Sequence, residues 1–287
     1  MNEIQNFGFS NKITDTIRSR VSVRTYDKKP LSGDLMKKIT EHLKKLNGPF
    51  EARCTFTILD KAEAKQEDNI KLGTYGVIKG ASTYIAGVVE NKPFCMEQLG
   101  YQMEWLILYL TEIGLGTCWL AGTFNRGSFT QAVECKSNEL MPVVVPFGYA
   151  REKRSMLDSV MRAAAGSAKR KDWSELFYTD SFNNILDKNV KDAYEIPLEM
   201  ARLAPSASNK QPWRILRKAG IYHFYICHTP SYNRMYSYDI QKIDMGIAML
   251  HFEATAREAG LPGGWSISDP GLDTPQHHEY IVSWIPK

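Results

Sequence analysis

Long apolar runs are missing from this chain. No stretch approaches the roughly 18 to 20 consecutive apolar residues that a membrane-spanning helix requires, so no membrane is expected as a partner. The opening MNEIQNFGFSNKITDTI lacks the basic-then-apolar pattern of a secretory leader, and the expected compartment is the cytoplasm. Cysteine is scarce: five residues, Cys54, Cys95, Cys118, Cys135 and Cys227, with no C-x-x-C pair. An odd, irregularly spaced set argues against a disulfide framework and against a structural zinc site. Cys54, Cys118 and Cys227 sit in apolar company and read as buried free thiols. Charge of one sign is also lacking. The formal net charge is +4 over 287 residues. With one dense basic cluster, Lys169-Arg170-Lys171, no nucleic-acid partner is expected. There is no G-x-x-x-x-G-K-[ST] and no H-E-x-x-H. Gly114-x-Gly116 is a fragment of G-x-G-x-x-G that follows a helix rather than a strand, with Trp119 in the last glycine's place.

What is present is ordinary globular composition, 43% hydrophobic and 24% charged, arranged with clear periodicity. Pro30 to Asn47 carries Leu35, Ile39, Leu43 and Leu46 on one helical stripe with Ser32 as the N-cap. A longer helix runs from Cys95 to Ile113 and stops at Gly114; another runs from Ile240 to Ala259 and stops at Gly260. Strands are expected at 54–59, 84–89, 142–147, 214–218, 222–227 and 280–285 from their β-branched and aromatic content. The segment from Arg151 to Arg170 mixes charges and reads as a helical, partly exposed connector. His277-His278-Glu279 reads as a polar loop before the last strand, since adjacent side chains point apart. His42 and His251 read as satisfied structural histidines. Trp105, Tyr109, Trp119 and Phe124 could gate a pocket, but core packing is the commoner use of such positions.

The two long helices repeat one another. Gly100/Gly246, Met103/Met249, Gly114/Gly260, Leu115/Leu261 and Trp119/Trp265 are identical pairs at one interval, 246 − 100 = 146 and 265 − 119 = 146. Each helix follows two strands, and each set follows a further helix and strand. The pattern predicts an internal duplication, with a first half over 10–180 and a shorter second half over 181–287 folded as one unit.

Two segments carry chemistry. In Arg20-Val21-Ser22-Val23-Arg24-Thr25-Tyr26, extended backbone puts Arg20, Ser22 and Arg24 on one face. Two guanidiniums beside a hydroxyl suit a phosphate of charge about −1.5 to −2; an edge strand with two solvated arginines reads the same way. In Arg202-Leu203-Ala204-Pro205-Ser206-Ala207-Ser208-Asn209-Lys210-Gln211-Pro212-Trp213, Pro205 ends the preceding helix at Ala204. The small polar residues then offer backbone and side-chain hydrogen bonds to a flat heterocycle without steric bulk.

These strings resemble the FMN-dependent nitroreductase family. Arg20-x-Ser22-x-Arg24-x-Tyr26 is similar to its phosphate motif. Ala204-Pro205-Ser206-x-x-Asn209-x-Gln211-Pro212-Trp213 is similar to its second flavin motif. Gly114 to Gly122 is similar to its glycine loop, Gly148-Tyr149 to its strand end, and Arg170 to Phe177 to its basic terminal segment. The resemblance spans about Ile17 to Trp265 and implies an α+β fold, a mainly antiparallel sheet wrapped by helices. It departs from the family in one respect. The first half reads Asn47-Gly48-Pro49-Phe50 where the second motif belongs, and the second half has no arginine motif. Since the family builds its flavin site between two subunits, the resemblance implies a pseudo-dimer fused in one chain, acting as a monomer, with one complete site and its symmetry mate lost. It implies that Arg20, Val21, Ser22, Arg24 and Arg170 hold the FMN phosphate and ribityl chain. Pro205, Ser206, Ala207, Ser208, Asn209 and Gln211 would cover the ring. Leu120, Ala121 and Gly122 would bring a backbone N–H to the edge where negative charge grows on reduction. The implied activity is ping-pong hydride transfer from NADH or NADPH to a small-molecule acceptor such as a nitroaromatic or quinone, with no side chain as acid or base. A flavin-binding sensor or storage protein, or a scaffold that has lost FMN, are the alternatives.

Overall fold

The computed structural model describes residues 7–151, 169–188, 192–232 and 237–287, the side chains of Glu67 and Asp68 excepted; most of the expected 151–170 connector lies outside the described residues. The first half begins with α1 (Ile13–Ser19) and α2 (Gly33–Leu43), then β1 (Cys54–Asp60), α3 (Lys61–Asp68), β2 (Thr83–Glu90) and α4 (Cys95–Glu112). It continues through β3 (Gly116–Thr117), α5 (Arg126–Ala132) and β4 (Glu139–Gly148). The chain then forms α6 (Trp173–Leu176), β5 (Phe177–Thr179), β6 (Ser181–Ile185) and α7 (Glu195–Arg202). It closes with β7 (Trp213–Lys218), β8 (Ile221–Cys227), α8 (Gln241–Glu258), β9 (Gly263–Ser266) and β10 (His278–Pro286).

The helix signals act as read. The Ser32 hydroxyl accepts the Leu35 N–H at 3.3 Å and starts α2 three residues after Pro30. Beyond Leu43 the backbone tightens, with Lys45 N–H on His42 O and Leu46 N–H on Leu43 O, so the last expected turn is not α-helical. Gly114 and Gly260 stop α4 and α8 with φ of +82° and +70°, where a side chain would be strained.

The strands form two sheets of matching order. The first runs β1-β2-β4-β3; the second runs β6-β5-β7-β8-β10-β9 and contains the equivalent β7-β8-β10-β9. Pairing is antiparallel except between β5 and β7, where Phe177 lies opposite Ile215. The segment after β4 thus crosses over and extends the second sheet, an addition that no local signal foretells.

Between the sheets α4 and α8 cross, both almost wholly buried. Their contact uses the repeated glycines. A Cβ on Gly100 would lie 2.1 Å from Ile243 O, and a Cβ on Gly246 would lie 1.9 Å from Glu97 O. The partners repeat too, since 243 − 97 = 146. Polar groups cross the seam: Tyr101 Oη donates to Glu253 Oε2 at 2.6 Å, and His251 Nε2 lies 3.0 Å from Glu104 Oε1. A second apolar cluster lies on the other face of the first sheet, with Tyr84, Phe124 and Phe129 packed together.

Other expectations divide. His251 is satisfied, its Nδ1 3.0 Å from Met200 O. His42 is buried but its Nε2 has no partner among the described residues; it stacks on Tyr109 at 3.7 Å between ring centroids. Trp105 and Phe124 are core. All five cysteines are free, but Cys54 and Cys227 are only half-buried, because each lies at a strand end. His278 and Glu279 begin β10 rather than a loop, and Glu279 pairs with Lys242 and His228. Among the described residues no group could hold a metal ion, and no helix is long and apolar enough to cross a membrane.

Candidate functional site

The arginine segment follows α1 in extended conformation. Val23 N–H donates to Thr117 O, Tyr26 N–H to Lys79 O and Asp27 N–H to Tyr149 O, so the strand-like run is clamped against β3, the segment before β2 and the end of β4. Val23 packs into Gly116, where an added Cβ would come within 2.7 Å of its methyl group. Fixing Val23 inward turns Ser22 and Arg24 the other way.

The serine-rich segment is held by its own hydrogen bonds. Ser206 Oγ accepts the Gln211 N–H at 2.8 Å across a 3-10 turn over Ala207–Asn209. Ser208, Asn209 and Gln211 all have positive φ, 49°, 53° and 50°. Three non-glycine residues in the left-handed region make a strained loop, which persists only where its surroundings over-determine it. Those surroundings are the basic segment. Asn209 Nδ2 donates to Lys169 O at 2.9 Å, Asn209 Oδ1 accepts from Arg170 at 3.2 Å, and Gln211 Oε1 accepts the Lys171 N–H at 2.8 Å.

Both segments meet at one cavity of about 360 Å³. From the N-terminal side it is lined by Arg20, Val21, Ser22, Arg24, Trp119, Ala121, Gly122, Thr123, Val143 and Arg170. From the C-terminal side it is lined by Pro205, Ser206, Ala207, Ser208, Asn209, Tyr232, Ile240, Ile243, Asp244 and Ile247. Twelve of the fourteen residues singled out from sequence lie on this wall. Leu120 and Gln211 do not. The backbone of Leu120 pairs with Val144 and its side chain is core, while the Gln211 side chain is used on the basic segment.

The cationic side of the cavity is poised for an anion. Arg20 is nearly buried and forms an ion pair with the buried Glu104, its Nε 3.6 Å from Oε1, too far for a hydrogen bond. Burial, with Arg20 and Arg202 of like charge nearby, brings the Arg170 pKa down to about 10. Arg202 is neutralised by a two-pronged pair with Glu199 at 2.8 and 2.6 Å. With Glu104 set against Arg20, the two guanidiniums leave an excess positive charge centred on Arg170, which an anion would relieve.

The opposite side is apolar and built on α8, where Ile240, Ile243 and Ile247 sit at helical spacing. Between them Asp244, 3% exposed, accepts the Ala207 N–H on Oδ1 at 3.0 Å. Sequence reasoning missed Asp244 and Tyr232. The available signal for Asp244 was a lone carboxylate inside an isoleucine stripe. Tyr232 Oη donates to Ser208 Oγ at 2.9 Å and fixes the outer side of the loop. Arg126 was also missed: it donates to Ala121 O at 2.8 Å and to Met141 O. In a trans peptide that capture aims the Gly122 N–H away from Arg126.

At the repeat-related place the geometry recurs without the cavity residues. Gln98 Oε1 accepts the Phe50 N–H at 2.9 Å, as Asp244 accepts that of Ala207, and 244 − 98 = 146. There Phe50 stacks on Phe94 at 4.8 Å and 9°; Phe94 is the counterpart of Ile240.

A family model described as "Putative TM nitroreductase" matches residues 12–256. The chain belongs to this family. Along its full length it is similar to the crystal structure of a protein described as a putative nitroreductase from Thermotoga maritima, with 21% identity and a TM-score of 0.62, covering 99% of this chain and 98% of that one. This likeness shows the nitroreductase-like α+β fold. A nitroreductase with bound FMN from Bacteroides fragilis matches at 19% identity and TM-score 0.40 over 51% of this chain and 92% of its own. An iodotyrosine deiodinase bound to FMN and 3-iodo-L-tyrosine matches at 18% identity and TM-score 0.40, over 50% and 92%. No curated protein matches the sequence.

Proposed function

We propose that this member of the nitroreductase family is an FMN-dependent oxidoreductase that takes hydride from NADH or NADPH and reduces a flat acceptor, a nitroaromatic or quinone. The observation that carries this reading is the meeting of Arg20, Ser22, Arg24 and Arg170 with the Pro205–Asn209 loop around one cavity. Bound FMN would supply the redox chemistry, accepting hydride from one partner and returning electrons to the next.

The chain's own residues fit that ligand. Arg20 and Arg170 relieve their mutual repulsion by holding its phosphate, and Ser22 and Arg24 stand on the same wall. Pro205 to Asn209, rigid and without bulk, cover a planar ring. Ile240, Ile243 and Ile247 exclude water from its far side, which strengthens every polar contact inside. The Ala121–Gly122 peptide, oriented by Arg126, presents an N–H where the ring gains electron density. Each half supplies one set of contacts, so the chain acts as a monomeric pseudo-dimer in the cytoplasm, and the Phe50–Phe94 stack occupies the counterpart of the apolar wall.

The test is release of the cofactor from purified protein and its identification by mass, followed by steady-state NADPH oxidation with menadione or nitrofurazone. FMN and acceptor-dependent turnover are expected. FMN without turnover supports a sensor or storage protein instead, and a protein that neither carries nor takes up FMN overturns the reading.

A further inference from the structure

The cavity wall holds a buried carboxyl group that the flavin reading does not use. Asp244 is surrounded by Ile240, Ile243 and Ile247, and its Oδ1 is occupied by the Ala207 amide. Its other oxygen, Oδ2, is buried and has no hydrogen-bond partner among the described residues. The charge felt most at this carboxyl is Asp239, of like sign, and burial pushes its pKa well above the usual carboxylate range. The neighbouring Lys242 is engaged by Glu279 at 2.7 Å, and Arg20, Arg24 and Arg170 line the polar side of the same cavity. An ionised carboxylate in such an apolar wall is costly without a cation in contact. An un-ionised acid is tolerated, but its O–H then needs an acceptor, and the described residues offer none. The acceptor has to come from what fills the cavity.

We propose that Asp244 stands in the wall as a neutral acid, accepts the Ala207 amide through Oδ1, and donates from Oδ2 to a carbonyl oxygen or unprotonated ring nitrogen of the flat ligand bound there. It is a specificity-determining residue for the site and rests on the reading of that site as a flavin pocket. It favours a ring that presents an acceptor at this wall and disfavours one that presents an N–H. Placed on α8 and tied to Ala207, it also couples ring recognition to the strained loop, so that loop and helix read one ligand together.

The deciding variant is Asp244→Asn, which keeps the Oδ1 contact to Ala207 and puts an N–H₂ donor in place of Oδ2. Asp244→Leu removes both. FMN is titrated into apoprotein by fluorescence quenching, and the KM for menadione is measured on FMN-loaded protein, so that the two rings are told apart. We expect Asp244→Asn to stay within about threefold of the parent in both measurements and Asp244→Leu to weaken one of them about tenfold, as loss of one hydrogen bond implies. If Asp244→Asn falls as far as Asp244→Leu, the group is an ionised acceptor and the proposal fails; it also fails if Asp244→Leu changes neither. Infrared spectroscopy of the apoprotein tests the neutral acid separately. A carboxylic-acid carbonyl band absent from Asp244→Asn is expected, and its absence from the parent overturns the proposal even where FMN binds. If the parent shows the band but takes up no FMN, the flavin reading has failed and the neutral acid stands.

Discussion

Gly246 of α8 lies against the carbonyl of Glu97 on α4, so close that a single methyl group would come within 1.9 Å of the oxygen. Gly100 makes the reciprocal approach to Ile243 at 2.1 Å. Both obstacles are backbone on buried helices, which cannot swing aside as a side chain can. Gly246→Ala and Gly100→Ala should each destabilise the fold by about 3 kcal/mol or more, at the upper end of overpacking costs, despite alanine's better helix propensity. Urea unfolding midpoints measure this. A rise in stability for either variant would mean that the helices cross further apart.

The anion site makes a prediction across the chain. Arg170→Ala should weaken FMN binding by about 1.5 to 3 kcal/mol, the worth of a hydrogen bond to a charged group. Arg24→Ala should weaken it to a similar extent. Asn209→Ala should also weaken it, because Asn209 Oδ1 helps to hold the Arg170 guanidinium at 3.2 Å. Fluorescence titration gives all three affinities. An unchanged affinity for Asn209→Ala would count against the serine-rich loop sharing the site.

Acid stability should report on His42. Burial first and Lys45 second lower its pKa from 6.5 to about 4, while the unfolded chain protonates near 6.5. The stability it contributes is therefore complete above pH 6.5 and is lost as pH falls toward 4. His42→Phe keeps the stack on Tyr109 and removes the titration, and should flatten the decline between pH 6.5 and 4 by roughly 2 to 3 kcal/mol. Glu97 runs in the opposite direction: burial raises it to about 7, so its contribution is complete below pH 4.5 and is lost as pH rises to 7. Glu97→Gln should accordingly gain stability relative to the parent at pH 8. Denaturation series at stepped pH separate the two, and parallel curves for parent and variants would refute both.

Arg126 offers a structural control on the glycine loop. Its guanidinium donates to Ala121 O and Met141 O and lies over the Phe124 ring, 4.8 Å from the centroid. Arg126→Leu leaves part-buried carbonyls unmet and should cost about 1 to 3 kcal/mol. It should also lower FMN affinity although Arg126 does not line the cavity. Loss of stability with unaltered FMN affinity would separate the loop from the site.

Local periodicity carried the helices and most strands. The Leu35–Ile39–Leu43 stripe, the Ser32 cap and the glycine stops are signals contained within one element, and they act through short-range sterics and hydrogen bonds. The β5–β6 addition escaped because Ser181, Asn183 and Asn184 are polar and exposed or half-buried, and because β5 pairs with a distant strand in parallel. At the site, Arg20 to Arg24 was legible as an extended run with its polar side chains on one face, and Pro205 to Asn209 as a small polar loop more specific than a turn needs. Gln211 was misplaced onto the cavity because hydrogen-bonding capacity does not say which neighbour will use it. Asp244 and Arg126 were missed for the same reason: their partners, Ala207 and Ala121, are set by tertiary geometry.

Because one polypeptide contributes both the guanidinium side and the serine-asparagine side of the cavity, its assembly is a first-order event. Two separate subunits sharing such a pocket would lose it on dilution, and their ligand affinity would drift with protein concentration. Here ligand affinity should be the same at nanomolar and micromolar protein, and the two contributing surfaces are free to diverge, since neither has to serve a second, symmetry-equivalent copy of itself.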